Sequence, residues 1–280
     1  MERGFWLFSS SAVMAVQRIQ MRNIVIDLSG YCREAGLEKA LSGAVVRDLS
    51  ALEGTNCYCD GAAAEEIRSA IAELPAAALH WDDTGDYHYL SRFWLEKVAA
   101  EMGDDPFALV LFDHHPDMQE PAFGQVLSCG GWARDAFQGI PNLTQVLMVG
   151  VNPDLELEIL DLVFDGVLAV TSEDLRHTGD GLSADVLEMF SLLEPRIPIY
   201  VSVDLDVLTT EYARTDWDQG RMTLAQLEAA VLRATAGHRL LGADVCGGLT
   251  RAKGASDSDM EINLKTSKAL EKLFANLIID

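Results

Sequence analysis

FALVLFDHHPD, residues 107–117, joins six apolar residues to a cluster of ionisable ones. Phe107 to Phe112 carry no polar side chain, the pattern of a strand covered on both faces. Asp113, His114, His115 and Asp117 follow at once. In an extended chain the side chains at i, i+2 and i+4 share one side, so Asp113, His115 and Asp117 are expected to point together at the strand's end. Residues 197–203 repeat the design and run into Asp204-Leu205-Asp206, whose two carboxylates also share a side. Four carboxylates and an imidazole near buried strand ends repel one another and resist desolvation unless a cation joins them. One divalent metal, or a pair, is the simplest compensation. The pattern also fits two unrelated strand ends with solvated aspartates.

With 280 residues, 49% of them hydrophobic, the chain has enough material for one α/β domain or two small ones. A net charge of −23 argues against nucleic acid and against an anionic membrane surface, both of which need a basic face. The odd, scattered set Cys32, Cys57, Cys59, Cys129 and Cys246 is no disulfide framework and fits a reducing cytoplasm. Cys57-x-Cys59 lacks a second pair at zinc spacing and reads as buried thiols. Residues 5–16 are mildly apolar but interrupted by serines and too short to span a bilayer. A helical N-terminal extension over residues 1–20 is expected there, in preference to a signal peptide.

Strand-like runs fall at residues 24–28, 55–59, 76–80, 107–112, 146–151, 166–170, 197–204 and 239–245. Helical spacing is read over residues 38–52, 62–74, 87–102, 155–163, 183–193, 223–236 and 262–279, with Thr223 as an N-cap. About eight strands alternating with helices predict a three-layer α/β/α fold around a mostly parallel sheet, in a single domain. Ligands of such sheets bind beyond the carboxyl ends of the strands, where Asp113, Asp204 and Asp244 lie.

These residues resemble the motifs of the ureohydrolase family of arginase, agmatinase and formimidoylglutamase. Asp113-His114-His115-Pro116-Asp117 is similar to D-A-H-x-D, and Ser202-Val203-Asp204-Leu205-Asp206 to S-x-D-x-D. Gly85-Asp86-Tyr87-His88 resembles G-G-D-H with one residue inserted. The resemblance implies an arginase-like domain over residues 1–280 and a homo-oligomer acting on a small molecule. It implies two Mn²⁺ ions, one held by His88, Asp113, Asp117 and Asp204, the other by Asp113, His115, Asp204 and Asp206. Iron, cobalt or zinc would also suit the donors. It further implies that the ions share a hydroxide that attacks the sp² carbon of a guanidine, amidine or amide. Asp117 would orient that hydroxide and pass a proton to the leaving amine.

The substrate-reading parts depart from the family. Thr209-Thr210 stands where Asp-Pro is frequent, and residues 244–248, Asp-Val-Cys-Gly-Gly, lack the Glu that contacts a guanidinium. Ser128, Cys129 and Trp132 occupy the loop where an arginase-like chain offers a His. With Trp217 and Cys246 they are the candidate substrate-binding residues. His80 is read as a strand-end residue, His114 as packing behind the ligands, and His177 and His238 as surface residues. Asp244 is read as a hydrogen-bonding partner behind the ligands or a strand cap. Two rivals stand beside the hydrolase. One is a DHH-type phosphoesterase, spelled by Asp113-His114-His115 but offered only half its partner motif by Asp60-Gly61. The other is a metal-bearing scaffold without chemistry.

Overall fold

Strand β5 (Phe107–Phe112) is buried along its whole length, and its side chains alternate between two cores. Ala108, Val110 and Phe112 join one hydrophobic cluster; Phe107, Leu109 and Leu111 join the other. A strand covered on both faces has no use for polar residues until it ends, which explains the abrupt change at Asp113. The computed structural model describes residues 21–121, 124, 126–159, 166–176 and 179–277. The expected N-terminal extension and His177 lie outside the described residues, as do residues 160–163 of the helix read over residues 155–163, whose described start belongs to the 3₁₀ turn Pro153–Glu158.

The strands are β1 (Asn23–Asp27), β2 (Val45–Asp48), β3 (Tyr58–Cys59), β4 (Leu79–Trp81), β5, β6 (Leu127–Ser128), β7 (Leu143–Val151), β8 (Val167–Thr171), β9 (Ile199–Asp204) and β10 (Leu240–Cys246). The helices are α1 (Tyr31–Glu34), α2 (Leu37–Ala40), α3 (Gly61–Ile71), α4 (Leu90–Met102), α5 (Trp132–Gly139), α6 (Ala184–Phe190), α7 (Leu224–Thr235) and α8 (Asp257–Ala275). Eight strands form one sheet in the order β2-β1-β4-β10-β9-β5-β7-β8, with every pairing parallel. Helices α3, α4 and α5 cover one face through Ile67, Phe93, Trp94 and Trp132, and α6, α7 and α8 cover the other through Phe190, Leu227 and Phe274. This is the expected three-layer α/β/α arrangement.

Two expectations are corrected. The helix read over residues 38–52 is confined to α2, because Gly43 takes a left-handed φ of 61° and breaks it. The β-branched Val45 and Val46 then form the edge strand β2. Residues 55–59 supply only the two-residue β3, which pairs antiparallel with β6 outside the main sheet. Strand β2 takes the eighth place instead.

Register aligns the strand ends that carry the acids. Phe112 pairs with Val203 and Cys246 with Asp204, so the chain leaves β5, β9 and β10 at one level. Helix α7 is fixed by a capping box in which the Thr223 hydroxyl accepts from the Gln226 N–H and the Gln226 side chain accepts from the Thr223 N–H. Thr223→Ala is therefore expected to lower unfolding stability by about 1 kcal/mol, read as a lower denaturant midpoint at unchanged slope.

Candidate metal centre

Three segments bring the ligand-type residues together. The first enters after β4, where Gly85–Tyr87 forms a 3₁₀ turn that presents His88. The second follows β5. Strand alternation ends at Phe112, and Asp117 takes a left-handed φ of 49°, a strained conformation for a residue with a side chain. It is held there by the start of α5, whose Ala133 and Arg134 N–H groups donate to the Asp117 carbonyl at 3.1 and 3.3 Å. The third follows β9, where Leu205–Val207 coils into a 3₁₀ turn. Asp113, His115 and Asp117 thus converge through a turn, and Asp204 and Asp206 through a helical step; simple two-residue alternation is not the cause.

Three of the four carboxylates are oriented by a backbone donor. The His115 N–H donates to Asp113 Oδ1 at 2.7 Å, the Asp206 N–H to Asp204 Oδ1 at 2.8 Å, and the His114 N–H to Asp206 Oδ1 at 3.1 Å. The second oxygens face the histidines. His88 Nδ1 lies 3.1 Å from Asp113 Oδ2, 3.0 Å from Asp117 Oδ2 and 3.6 Å from Asp204 Oδ2. His115 Nδ1 lies 2.9 Å from Asp206 Oδ2 and 3.6 Å from Asp113 Oδ1. Two compact donor groups result, His88–Asp113–Asp117 and Asp113–His115–Asp206, sharing Asp113.

The tautomer of His88 follows from its other nitrogen. The Ser202 hydroxyl donates its one proton to Asp244 Oδ1 at 2.6 Å, so at 2.9 Å it can only accept from His88 Nε2–H. A neutral His88 then turns the Nδ1 lone pair toward carboxylate oxygens, which is repulsive unless a proton or a metal cation sits between them. Without a metal the proton wins. Burial pulls the His88 imidazole's pKa down, but Asp113 and Asp117 outweigh it and hold it well above the ordinary range. His115 behaves likewise, with Asp113 and Asp206 overcoming burial. Burial and the Asp113 charge push Asp117 up to about 7, and burial with the Asp204 charge raises Asp206 far above the carboxylate range. Burial also raises Asp113, yet the two histidines pull it below that range. Imidazole and carboxylate donors that are short of positive charge fit divalent cations. The outer nitrogen of each histidine is already engaged, His88 by Ser202 and His115 by Asp218 at 3.0 Å, as metal-binding imidazoles require.

Above the acids lies a cavity of about 220 Å³. The six ligand-type residues form its floor, and Cys57, Tyr58, Gln119, Ser128, Cys129 and Trp217 contribute its walls. Among the described residues, no Lys or Arg lines it. Trp217, 41% exposed, lies close over Gly85, where a Cβ would come within 2.8 Å of the indole. Its Nε1–H donates to Asp86 Oδ1 at 3.2 Å, and Lys253 Nζ binds Asp86 and Asp216 at 2.6 and 2.5 Å, fastening the loop before Gly220 over the centre.

The other singled-out residues divide by position. Ser128, Cys129 and Trp217 line the cavity; Trp132 and Cys246 do not, and reach the carboxylates from behind. Trp132 Nε1–H donates to Asp117 Oδ2 at 2.6 Å, and the Cys246 thiol to Asp204 Oδ2 at 3.0 Å. His80 is no ligand: it stacks on Trp94, and burial lowers its pKa to about 4. His114 packs against Gly150 and Asp218, and His238 is half-buried, with its ring bonded to the Ile197 carbonyl. Asp244 is the Ser202 partner, and burial pushes it up to about 6. Asp60, the half-motif of the phosphoesterase reading, is exposed and caps α3 through the Ala63 N–H. Cys59 is buried as expected of the C-x-C thiols, but Cys57 is half-buried and faces the cavity; Tyr58, Gln119 and the His115 partner Asp218 were not singled out by pattern. The pairing of β3 with β6 that places Cys57 and Tyr58 has a register invisible in a two-residue strand.

The profile of the arginase family matches residues 56–247. A protein of Thermotoga maritima described as uncharacterized is 29% identical over 223 residues, spanning 80% of this chain and 78% of its own. Among solved structures, the fold is similar to proclavaminate amidino hydrolase from Streptomyces clavuligerus, with a TM-score of 0.65 and 18% identity over 92% of each chain. It is also similar to formimidoylglutamase from Bacillus subtilis, with a TM-score of 0.65 and 16% identity over 98% of this chain and 96% of that one. Arginase from Medicago truncatula gives 0.62 at 15% identity, over 92% and 87%. With the profile spanning all three ligand-bearing segments, the chain belongs to the arginase family.

Proposed function

We propose that the protein is a binuclear metal-dependent hydrolase acting on a C–N bond of a small guanidine, amidine or amide. The observation that carries this reading is the pair of imidazole–carboxylate groups joined through Asp113, with the His88 Nδ1 lone pair aimed into the acids. His88, Asp113, Asp117 and Asp204 would hold one ion, and Asp113, His115, Asp204 and Asp206 the other, with Asp113 and Asp204 common to both. Carboxylate and imidazole donors suit Mn²⁺. When bound, the two cations supply Lewis acidity and the positive charge that ionises water near neutral pH.

The chain's own residues do the rest. Asp117, on the cavity floor, accepts a hydrogen bond from the attacking water, orients it toward the substrate carbon and passes a proton to the leaving nitrogen. The Trp132 N–H fixes the Asp117 carboxylate from the far side, so its rotation is restricted. Ser202 and Asp244 hold His88 in the required tautomer. Among the described residues the cavity walls offer neutral groups and no Lys or Arg, which favours a cationic or neutral substrate end over a carboxylate. A guanidinium-binding Glu cannot be replaced at Gly247: its φ is 92°, and a Cβ there would stand 2.4 Å from Asp204 Oδ1. Recognition therefore falls to the walls, with Ser128, Cys129 and Trp217 in reach. A cavity of this size favours turnover over a bare scaffold.

Asp113→Ala and Asp204→Ala are each expected to empty the centre and abolish hydrolysis of a guanidine, amidine and amide panel; normal metal content by elemental analysis in both would refute the ligand assignment. Ser202→Ala removes the acceptor of the His88 proton and is expected to weaken metal affinity roughly 10- to 100-fold, measured by competition with a chelating dye. An unchanged affinity would show that Ser202 does not set the tautomer.

A further inference from the structure

Cys246 lies behind the floor of the centre, with its thiol on one of the acids. It pairs with Asp204 across β10 and β9, and paired residues of adjacent strands place their side chains on the same face. Its Sγ stands 3.0 Å from Asp204 Oδ2, the oxygen turned toward His88. Donor atoms of His88, Asp204 and Cys246 all lie within 4.8 Å of one another, the same closeness that defines the two groups above. All three residues are buried, and Cys246, at 1% exposure, is not among the cavity-lining residues. A substrate does not meet this sulfur, whereas an ion held by His88 and Asp204 does.

We propose that Cys246 supplies a thiolate donor to the ion shared by His88 and Asp204. This rests on the metal reading above and refines it, because one of the two positions then offers sulfur beside nitrogen and oxygen. Oxygen donors suit manganese, whereas thiolate shifts preference toward zinc, cobalt and ferrous iron. The thiol proton leaves to solvent as the ion binds. The centre is thereby unsymmetrical: the His115–Asp206 side keeps nitrogen and oxygen donors only, and the His88 side selects a softer ion.

Cobalt(II) reports the bond directly. The metal-stripped full chain, titrated with Co²⁺, is expected to develop a near-ultraviolet sulfur-to-cobalt charge-transfer band. Cys246→Ser is expected to keep the far-ultraviolet circular dichroism and the cobalt stoichiometry, lose that band, and bind Co²⁺ on the order of tenfold more weakly, with Mn²⁺ affinity nearly unchanged. A Cys57→Ser/Cys129→Ser double variant is expected to retain the band, since those thiols belong to the walls. Bound cobalt without the band in the native chain overturns the proposal and leaves the binuclear reading standing, as does a band that survives Cys246→Ser. Failure of the native chain to bind cobalt, zinc or manganese overturns both.

Discussion

An imidazole lone pair facing several carboxylates inside a protein is an arrangement that only positive charge can rescue. His88 cannot turn its proton inward while Ser202 spends its own on Asp244, so Nδ1 meets Asp113 and Asp117 at hydrogen-bond distance with no proton of its own to offer. In a buried site the resulting repulsion is poorly screened. An added proton relieves it for one imidazole at a time, whereas a divalent ion relieves it for the whole cluster. The electrostatics of this buried cluster thus depend on what fills the gap between the acids.

The scaffold makes that gap rigid. Asp113 and Asp204 are held by backbone N–H groups of the turns that carry them, and Asp206 by the His114 N–H of the facing segment after β5. Asp117 is the exception. Its left-handed backbone is kept by α5 and its carboxylate by Trp132 on the same helix, which ties it to the core on that face of the sheet. On the solvent side, the shared grip of Asp86 and Asp216 on Lys253, together with the Gly220 N–H on the Asp206 carbonyl and Asp218 on His115, keeps the Trp217 loop closed down on the centre.

Much of this was legible in the chain. Apolar runs ending in D-x-H-x-D and D-x-D are conspicuous because a strand buried on both faces leaves no ambiguity about where polarity begins, and the capping signal of Thr223 is equally local. The strand β2 was hidden because Gly43 interrupts a window whose spacing otherwise suits a helix. Convergence of the acids was foreseen for the wrong local reason, since turn geometry at Asp117 and Leu205–Val207 replaces alternation. The walls were the least legible: Cys57 and Tyr58 reach the cavity through a two-residue pairing, and Asp218 meets His115 across 103 positions of sequence, a contact no pattern encodes.

Strand β10, the last of the sheet to be synthesised, occupies its interior between β4 and β9. Before residues 240–246 arrive, the strands can form only two separate ribbons, β2-β1-β4 and β9-β5-β7-β8. The histidine that follows β4 belongs to the first ribbon, and every carboxylate of the centre belongs to the second. Long-range pairings of this kind are slow to close, so from the synthesis of Asp206 until β10 joins the two ribbons the four acids have only His115 beside them. Insertion of β10 both completes the sheet and brings His88 beside the acids.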